Sequence, residues 1–110
     1  MNQKKEIGDA TFQKEVTDFK GLVLVDFWAS WCPPCKMMEP MIQRLSTEVT
    51  ENQKIVAINI DRNPGTASHY KIQSLPTFIA FSNGVEMHRL VGAATEKQLR
   101  TLLNCCNKAA

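Results

Sequence analysis

The sequence predicts an α/β fold with a central mixed β-sheet and helices on both faces. Continuous apolar runs, typical of strands buried on both sides, alternate with segments of helical periodicity in the first part of the chain. Near the C-terminal end, Asn83-Gly84 is a hairpin signal, so the last two strands are expected to pair antiparallel. Because a chain of 110 residues is one domain long, we expect residues 1–110 to form a single domain.

The N-terminal part predicts a short edge strand at residues 2–7 and a first helix capped by Thr11. Apolar residues share one face of that helix: Phe12, Val16 and Phe19. Residues 22–28 are a run of β-forming apolar residues interrupted only by Asp26, and they predict a buried central strand.

A long helix is predicted to follow Cys35. Its apolar residues recur at steps of three and four: Met37, Met38, Met41, Ile42, Leu45 and Val49. We expect the methionines to pack in the core. Pro40 lies within this stripe and is expected to kink the helix, because proline removes one backbone donor.

The second half of the chain predicts strands at residues 54–60, 77–81 and 85–91. Between the first two, Asn63-Pro64 predicts the cap and first residue of a short helix. A last helix begins at Thr95, with Gln98 placed for a capping box. Its apolar face contains Leu99, Leu102, Leu103 and Cys106.

Composition argues against several classes of function. The net charge of +2, with no Lys/Arg run longer than two residues, gives no sign of a nucleic-acid partner. No apolar run reaches 18 residues, so no membrane association is expected. The N-terminal residues lack the apolar stretch of a secretory signal, and the cysteines are not spaced as a structural disulfide framework. We therefore expect a cytoplasmic monomer.

The strongest chemical signal is the motif Cys32-Pro33-Pro34-Cys35, placed between the central strand and the long helix. A helix N-terminus presents free backbone N–H groups and partial positive charge, which stabilise a thiolate and lower its pKa. Cys32 comes first, so we expect it to be the more exposed sulfur and the nucleophile that attacks a substrate disulfide. Cys35 is then expected to attack Cys32 and release the reduced substrate.

Two other interpretations of the cysteines are weaker. A zinc site on Cys32 and Cys35 needs two more ligands, and neither Cys105-Cys106 nor the two histidines has a suitable spacing. Adjacent cysteines have Cα atoms about 3.8 Å apart, below the usual disulfide range of about 4.4–6.8 Å, which disfavours a second redox centre at Cys105-Cys106. We expect a buried Cys106, a more exposed Cys105, and no metal or cofactor.

The segment VDFWASWCPPCK at residues 25–36 resembles the active-site motif of the thioredoxin family. Further matches follow in register: Asn59-Ile60-Asp61, Asn63-Pro64, Leu75-Pro76-Thr77, Phe81-x-Asn83-Gly84 and Val91-Gly92. The resemblance covers nearly the whole chain. It implies a thioredoxin fold, reduction of protein disulfides, and a flavin-dependent thioredoxin reductase as electron donor.

The resemblance also assigns roles to matching residues. Cys32 and Cys35 correspond to the nucleophilic and resolving cysteines, Asp26 to the buried acid that accepts the resolving proton, and Pro76 to a cis-proline facing the dithiol. Trp28 corresponds to a flanking aromatic residue that shapes the site. Together with the loop and strand residues near it, the motif is expected to present an apolar substrate-docking patch: Trp31, Pro33, Pro34, Leu75, Pro76, Val91, Gly92 and Ala93.

Three positions depart from the family pattern. Pro33 and Ser74 stand where glycine is common, and the double proline is expected to stiffen the active-site loop and alter its reduction potential. Ala57 stands where many members have a lysine near the buried acid. With only Lys36 and Lys54 available at element ends, we expect Asp26 to have a pKa well above about 3.9.

Two alternatives to a general reductase follow from these residues. The double proline is also similar to tryparedoxins and nucleoredoxins, which suggests a narrower donor to a peroxidase or a thiol-maturation pathway. The second alternative is a non-enzymatic binding subunit with the same fold. Binding alone has no use for Cys32, Cys35, Asp26 and Pro76 together, so this pattern favours an enzyme.

Overall fold

The computed structural model describes residues 4–105, in which five strands form one mixed sheet. The strands are β1 (Lys5–Ile7), β2 (Leu22–Trp28), β3 (Gln53–Asn59), β4 (Thr77–Ser82) and β5 (Val85–Val91). The helices are a short π-helix (Gln13–Thr17), α1 (Pro33–Ser46), α2 (Pro64–His69) and α3 (Glu96–Asn104). The predicted α/β fold is confirmed. None of the helices in the described part is long and apolar enough to cross a membrane.

The spatial order of the strands is β1-β3-β2-β4-β5. β1, β3 and β2 run parallel, whereas β4 is antiparallel to β2 and β5 is antiparallel to β4. β2 is therefore the central strand, and β1 is an edge strand as predicted, although residues 2 and 3 lie outside the described residues. Asn83 and Gly84, with φ values of 51° and 84°, form the predicted turn between β4 and β5.

The side chains of β2 alternate between two apolar cores. Leu22 and Leu24 face α1 and α3, in a core that also contains Met38, Ile42, Leu45, Phe78, Leu99, Leu102 and Leu103. Val23, Val25 and Phe27 face the opposite side, in a core with Phe12, Val16, Val56, Ile58, Ile79 and Phe81. By the same alternation, Asp26 lies on the face covered by α1 and α3.

The stripe predicted for α1 is correct except at Met37, which is 80% exposed. The helix begins at Pro33, and its buried positions are Cys35, Met38, Ile42 and Leu45, followed by Ser46 at its end. Successive residues of a helix point about 100° apart, so Met37 turns away from the face on which Met38 lies. Val49 is buried but follows the end of the helix.

The capping expected from Thr11 is wrong. Its hydroxyl accepts a hydrogen bond from the Gly8 N–H at 3.0 Å and lies in a turn before the helix. The residue that precedes the π-helix is Phe12, and its side chain makes no capping bond. Phe12 and Val16 are nevertheless buried, and Phe19 packs against them as the periodicity predicts.

The start of α2 is capped by a residue far away in sequence. Asn63 is the N-cap residue, as predicted, but its side chain makes no capping hydrogen bond. Instead, the Asp9 carboxylate accepts hydrogen bonds from the N–H groups of Gly65 and Thr66. At α3 the predicted capping box of Thr95 and Gln98 is confirmed, and Leu99, Leu102 and Leu103 are buried. Cys105 is exposed as expected, whereas Cys106 lies outside the described residues.

Candidate active site

The cysteine pair lies where the central strand enters α1. β2 ends at Trp28, Cys32 is the N-cap residue of α1, and Cys35 lies in its first turn. The two cysteines form a disulfide with a Cα–Cα distance of 5.3 Å, inside the usual range. The strand–loop–helix arrangement thus brings both sulfurs to the positive end of the helix dipole.

The two prolines decide which backbone donor reaches the sulfurs. Pro33 and Pro34 occupy the first two helical positions, where they carry no N–H group. The first N–H group of the helix is therefore that of Cys35, and it donates a hydrogen bond to Cys32 Sγ at 3.3 Å. A hydrogen bond to sulfur is stronger when the sulfur is a thiolate, so this contact favours the ionised form of Cys32 after reduction.

The expectation that Cys32 is the more exposed of the two cysteines is wrong in this disulfide form. Cys32 is 3% exposed and Cys35 is 7% exposed. Both belong to a small buried cluster with Ala29, and Leu75 packs against that cluster. Cys35 also lines a cavity together with Trp28 and Glu39.

Two tryptophans flank the dithiol and have different environments. Trp31 is 64% exposed, and its indole N–H donates to the Asp61 carboxylate at 2.7 Å. The Trp28 side chain is partly buried, packs against the cysteine cluster, and donates its N–H to Glu6 at 3.1 Å. Each indole is thus oriented by a carboxylate, and Trp28 is the one that packs against the cysteine cluster.

The loop before β4 also contributes to the surroundings of the dithiol. The Leu75–Pro76 peptide bond is cis, and Leu75 packs against the cysteine cluster. Thr77 pairs with Val91 across β4 and β5, and the Gly92 N–H donates to the Pro76 carbonyl at 2.7 Å. The structure therefore brings these loop residues together.

Several residues of the predicted docking patch are open to solvent. Val91 is 63% exposed, and Pro33, Pro34 and Ala93 are also exposed. Gly92 has a φ of +96°, which favours glycine, and a Cβ there would meet no atom within 4 Å. Backbone conformation, and not lack of space, is thus what requires glycine at this position.

Asp26 is 5% exposed, and its Oδ1 atom has no hydrogen-bond partner within residues 4–105. Burial raises the pKa of this carboxyl to about 7, while the positive charge of Lys4 opposes the shift. Ala57 stands beside Asp26 on β3 and brings no charge.

The lysine whose charge lowers the pKa of Asp26 is not one of the two that the sequence suggested. Lys54, one of the two expected candidates, is paired with Glu15 at 2.9 Å and is not among the charges that shift Asp26. Lys4 acts on Asp26 instead. The sequence could have placed Lys4 on the same face of the sheet as Asp26 only if β1, which follows Lys4, was already known to lie beside β3.

Within residues 4–105, no group of three or more His, Cys, Asp or Glu side chains is arranged to hold a metal ion. The redox-capable groups that the structure does place at this site are the two cysteines, joined as a disulfide.

Comparison with known proteins agrees with this geometry. The family model described as thioredoxin matches residues 3–105. The thioredoxin of Rickettsia conorii is 44% identical over 101 residues, which cover 92% of this chain and 93% of the relative. The thioredoxin of a Synechocystis strain is 40% identical over 103 residues, which cover 94% of this chain and 96% of the relative.

A solved structure shows the same fold. A single-substitution mutant thioredoxin from Halobacterium salinarum superposes with a TM-score of 0.84 at 30% identity, covering 94% of this chain and 89% of the other. Sequence, fold and the disulfide at the start of α1 point to the same assignment. The chain belongs to the thioredoxin family, and its Cys32–Cys35 pair makes it a thiol–disulfide oxidoreductase.

Proposed function

We propose that the protein is a Cys-Pro-Pro-Cys thioredoxin that reduces protein disulfides in the cytoplasm. The observation that carries this proposal is the hydrogen bond from the Cys35 N–H to Cys32 Sγ at the N-terminus of α1. It selects Cys32 as the sulfur that is stabilised as a thiolate and hence as the nucleophile. A dithiol that must be re-reduced after each turnover suits a reducing compartment.

The reaction proceeds in two exchanges. The Cys32 thiolate attacks one sulfur of the substrate disulfide, which forms a mixed disulfide and releases the other sulfur as a thiolate. Cys35 then loses its proton and attacks Cys32 Sγ, so that the Cys32–Cys35 bond forms and the bond to the substrate breaks. The second substrate sulfur leaves as a thiolate and takes up a proton. The substrate gains two electrons and the dithiol loses two.

Asp26 is the proposed acceptor of the Cys35 proton. A carboxyl with a pKa of about 7 is ionised in about half of the molecules at neutral pH, and its conjugate acid readily returns the proton. It lies on the α1 side of the sheet, the side from which Cys35 borders a cavity. The transfer is direct or passes through one water.

The substrate is proposed to dock on the apolar surface around Cys32. The proposal is supported by the exposure of Trp31, Val91 and the two prolines of the motif, and by Leu75, which packs against the cysteine cluster. Pro76 is buried, so it would support this surface from beneath. An extended peptide segment fits such a surface, because its backbone can pair with a loop while its side chains cover the apolar residues.

We expect Val91→Glu to raise the KM for a protein disulfide about five- to tenfold with little change in kcat, since it replaces apolar contact by a charge. The control is Val85→Glu at the other end of β5, because Val85 is 60% exposed and Val91 is 63% exposed. Insulin reduction at varied insulin concentration measures both constants. Equal KM values in the two variants would contradict docking at Val91.

Pro33→Gly is expected to shift the reduction potential by at least about 10 mV toward more negative values. Proline at the first helical position fixes the helix start and so holds the Cys35 N–H against Cys32 Sγ, which favours the reduced form. The wild type is expected to be less reducing than about −270 mV, the typical thioredoxin value. Redox equilibration of both proteins measures the difference, and identical potentials would refute the role given to Pro33.

The electron donor is proposed to be thioredoxin reductase. The direct test is turnover of insulin by the wild-type protein with purified reductase, compared with turnover when dithiothreitol supplies the electrons. Activity with both supports the general reductase. Activity with dithiothreitol alone favours a narrower redox partner, and activity with neither favours a binding subunit.

A further inference from the structure

The side chain of Lys4 is mostly buried and lies on the α1 face of the sheet. Its side chain is 10% exposed and forms an ion pair with Glu39 of α1, whose side chain is 51% exposed. Withdrawing a lysine from water is costly unless its charge is partnered. This pair therefore fixes the segment before β1 against α1 at one defined point.

The ion pair shares a cavity with the resolving cysteine. The cavity has a volume of about 490 Å³. Its walls come from the N-terminal segment, the end of β2 and the first two turns of α1: Lys4, Glu6, Trp28, Cys35, Lys36 and Glu39. Glu6 also holds the Trp28 indole, so polar groups line the α1 side of the dithiol.

The same charges act on Asp26. The registers align Glu6 with Ala57 and Ala57 with Asp26, so these residues form one row across β1, β3 and β2. On the remaining side, β4 places Phe78 beside Asp26. The lysine at position 4 favours the Asp26 carboxylate, whereas the two glutamates disfavour it.

We propose that Lys4 is a positioning residue for the resolution step, in which its ammonium, at the wall of the cavity that Cys35 also lines, favours the charged form of Asp26 that accepts the Cys35 proton. This inference rests on the proposed function, in which Asp26 is that acceptor. Lys4 acts through charge and touches neither the substrate nor the reacting sulfurs. Glu39 acts in the opposite sense, because its negative charge disfavours the Asp26 carboxylate.

The test uses three variants of the full chain. Lys4→Met removes the cation and keeps most of the side-chain volume, whereas Glu39→Gln removes the anion. The control is Lys5→Met, because Lys5 is the next residue, pairs with Glu15 and does not act on Asp26. An NMR titration of the Asp26 carboxyl in each folded protein measures its pKa, and the release of a pre-formed mixed disulfide measures the resolution rate at each pH.

We expect the pKa of Asp26 to rise by at least about half a pH unit in Lys4→Met and to fall by a similar amount in Glu39→Gln. Resolution at pH 7 should then be about twofold or more slower in Lys4→Met, with its pH profile moved to higher pH. Lys5→Met should match the wild type.

Comparing the Lys4→Met and Glu39→Gln variants distinguishes an effect of charge on Asp26 from a structural effect of the ion pair. A purely structural bridge would give the same change in both variants, since each breaks the same pair. Shifts of the same sign, or no shift in Lys4→Met, would therefore overturn the proposal. If the wild type itself fails to reduce insulin, the proposed function fails, but the titration still reports whether Lys4 controls Asp26.

Discussion

Cys32→Ser is expected to abolish protein-disulfide reduction, with a loss of roughly 10³-fold or more, because a serine hydroxyl at this position is neither ionised nor able to form a disulfide. Cys35→Ser is expected to leave the first exchange intact and to accumulate the mixed disulfide between Cys32 and the substrate. Non-reducing electrophoresis with mass spectrometry of the trapped complex measures this outcome. The two variants therefore have opposite signatures, one without any complex and one with a stable complex.

The control for both variants is Cys105→Ser, since Cys105 is exposed and lies at the end of α3. It should reduce insulin at the wild-type rate. If Cys35→Ser released product at a normal rate, Cys35 would not be the resolving thiol. If Cys32→Ser formed the mixed disulfide, the order of the two cysteines would be reversed.

Asp26→Asn is expected to stabilise the fold at pH 8 by roughly 2–4 kcal/mol while slowing resolution of the mixed disulfide. Burial raises the pKa of Asp26 from 3.8 to about 7, so ionising this group costs folding free energy that an amide does not incur. The direction with pH follows from that shift. Stability of the wild type should fall as pH rises from about 4 toward about 7 and then level off, since the unfolded state ionises first.

Urea unfolding of Asp26→Asn and wild type between pH 4 and pH 8 measures this difference. The gain in the variant should be small near pH 4 and largest above pH 7. Asp18→Asn serves as a control on an exposed carboxyl and should show no comparable pH-dependent gain. A variant less stable than the wild type at pH 8, or an Asp26 carboxyl that titrates near pH 4, would contradict the assignment.

Much of the fold could be predicted because its signals are local. Residues 22–28 and 54–60 are apolar runs long enough to require burial on both faces, and both form strands within one residue of the predicted limits. The turn at Asn83-Gly84 and the box of Thr95 and Gln98 depend on residues that are adjacent or three apart. Such features need no knowledge of what packs against them.

The errors at Thr11 and Met37 are local, whereas the others concern contacts made between distant parts of the chain. Asp9 caps α2 from more than fifty residues away, and Lys4 reaches Asp26 only because β1 pairs with β3. Leu75, which belongs to a different loop, packs against the cluster that contains Cys32. Residue type and spacing predicted the chemistry of the dithiol, whereas the charges that tune its proton acceptor became visible only from strand order and register.

The double proline also gives the active site an unusually simple spectroscopic reporter. Pro33 and Pro34 have no amide hydrogen, so the Cys35 amide is the first that α1 offers, and it bonds directly to Cys32 Sγ. Its chemical shift and its isotope exchange with solvent therefore depend on whether that sulfur is a thiolate, a thiol or part of a disulfide. One backbone resonance, observed in an otherwise unmodified protein, can follow the oxidation state of the whole molecule through a catalytic cycle.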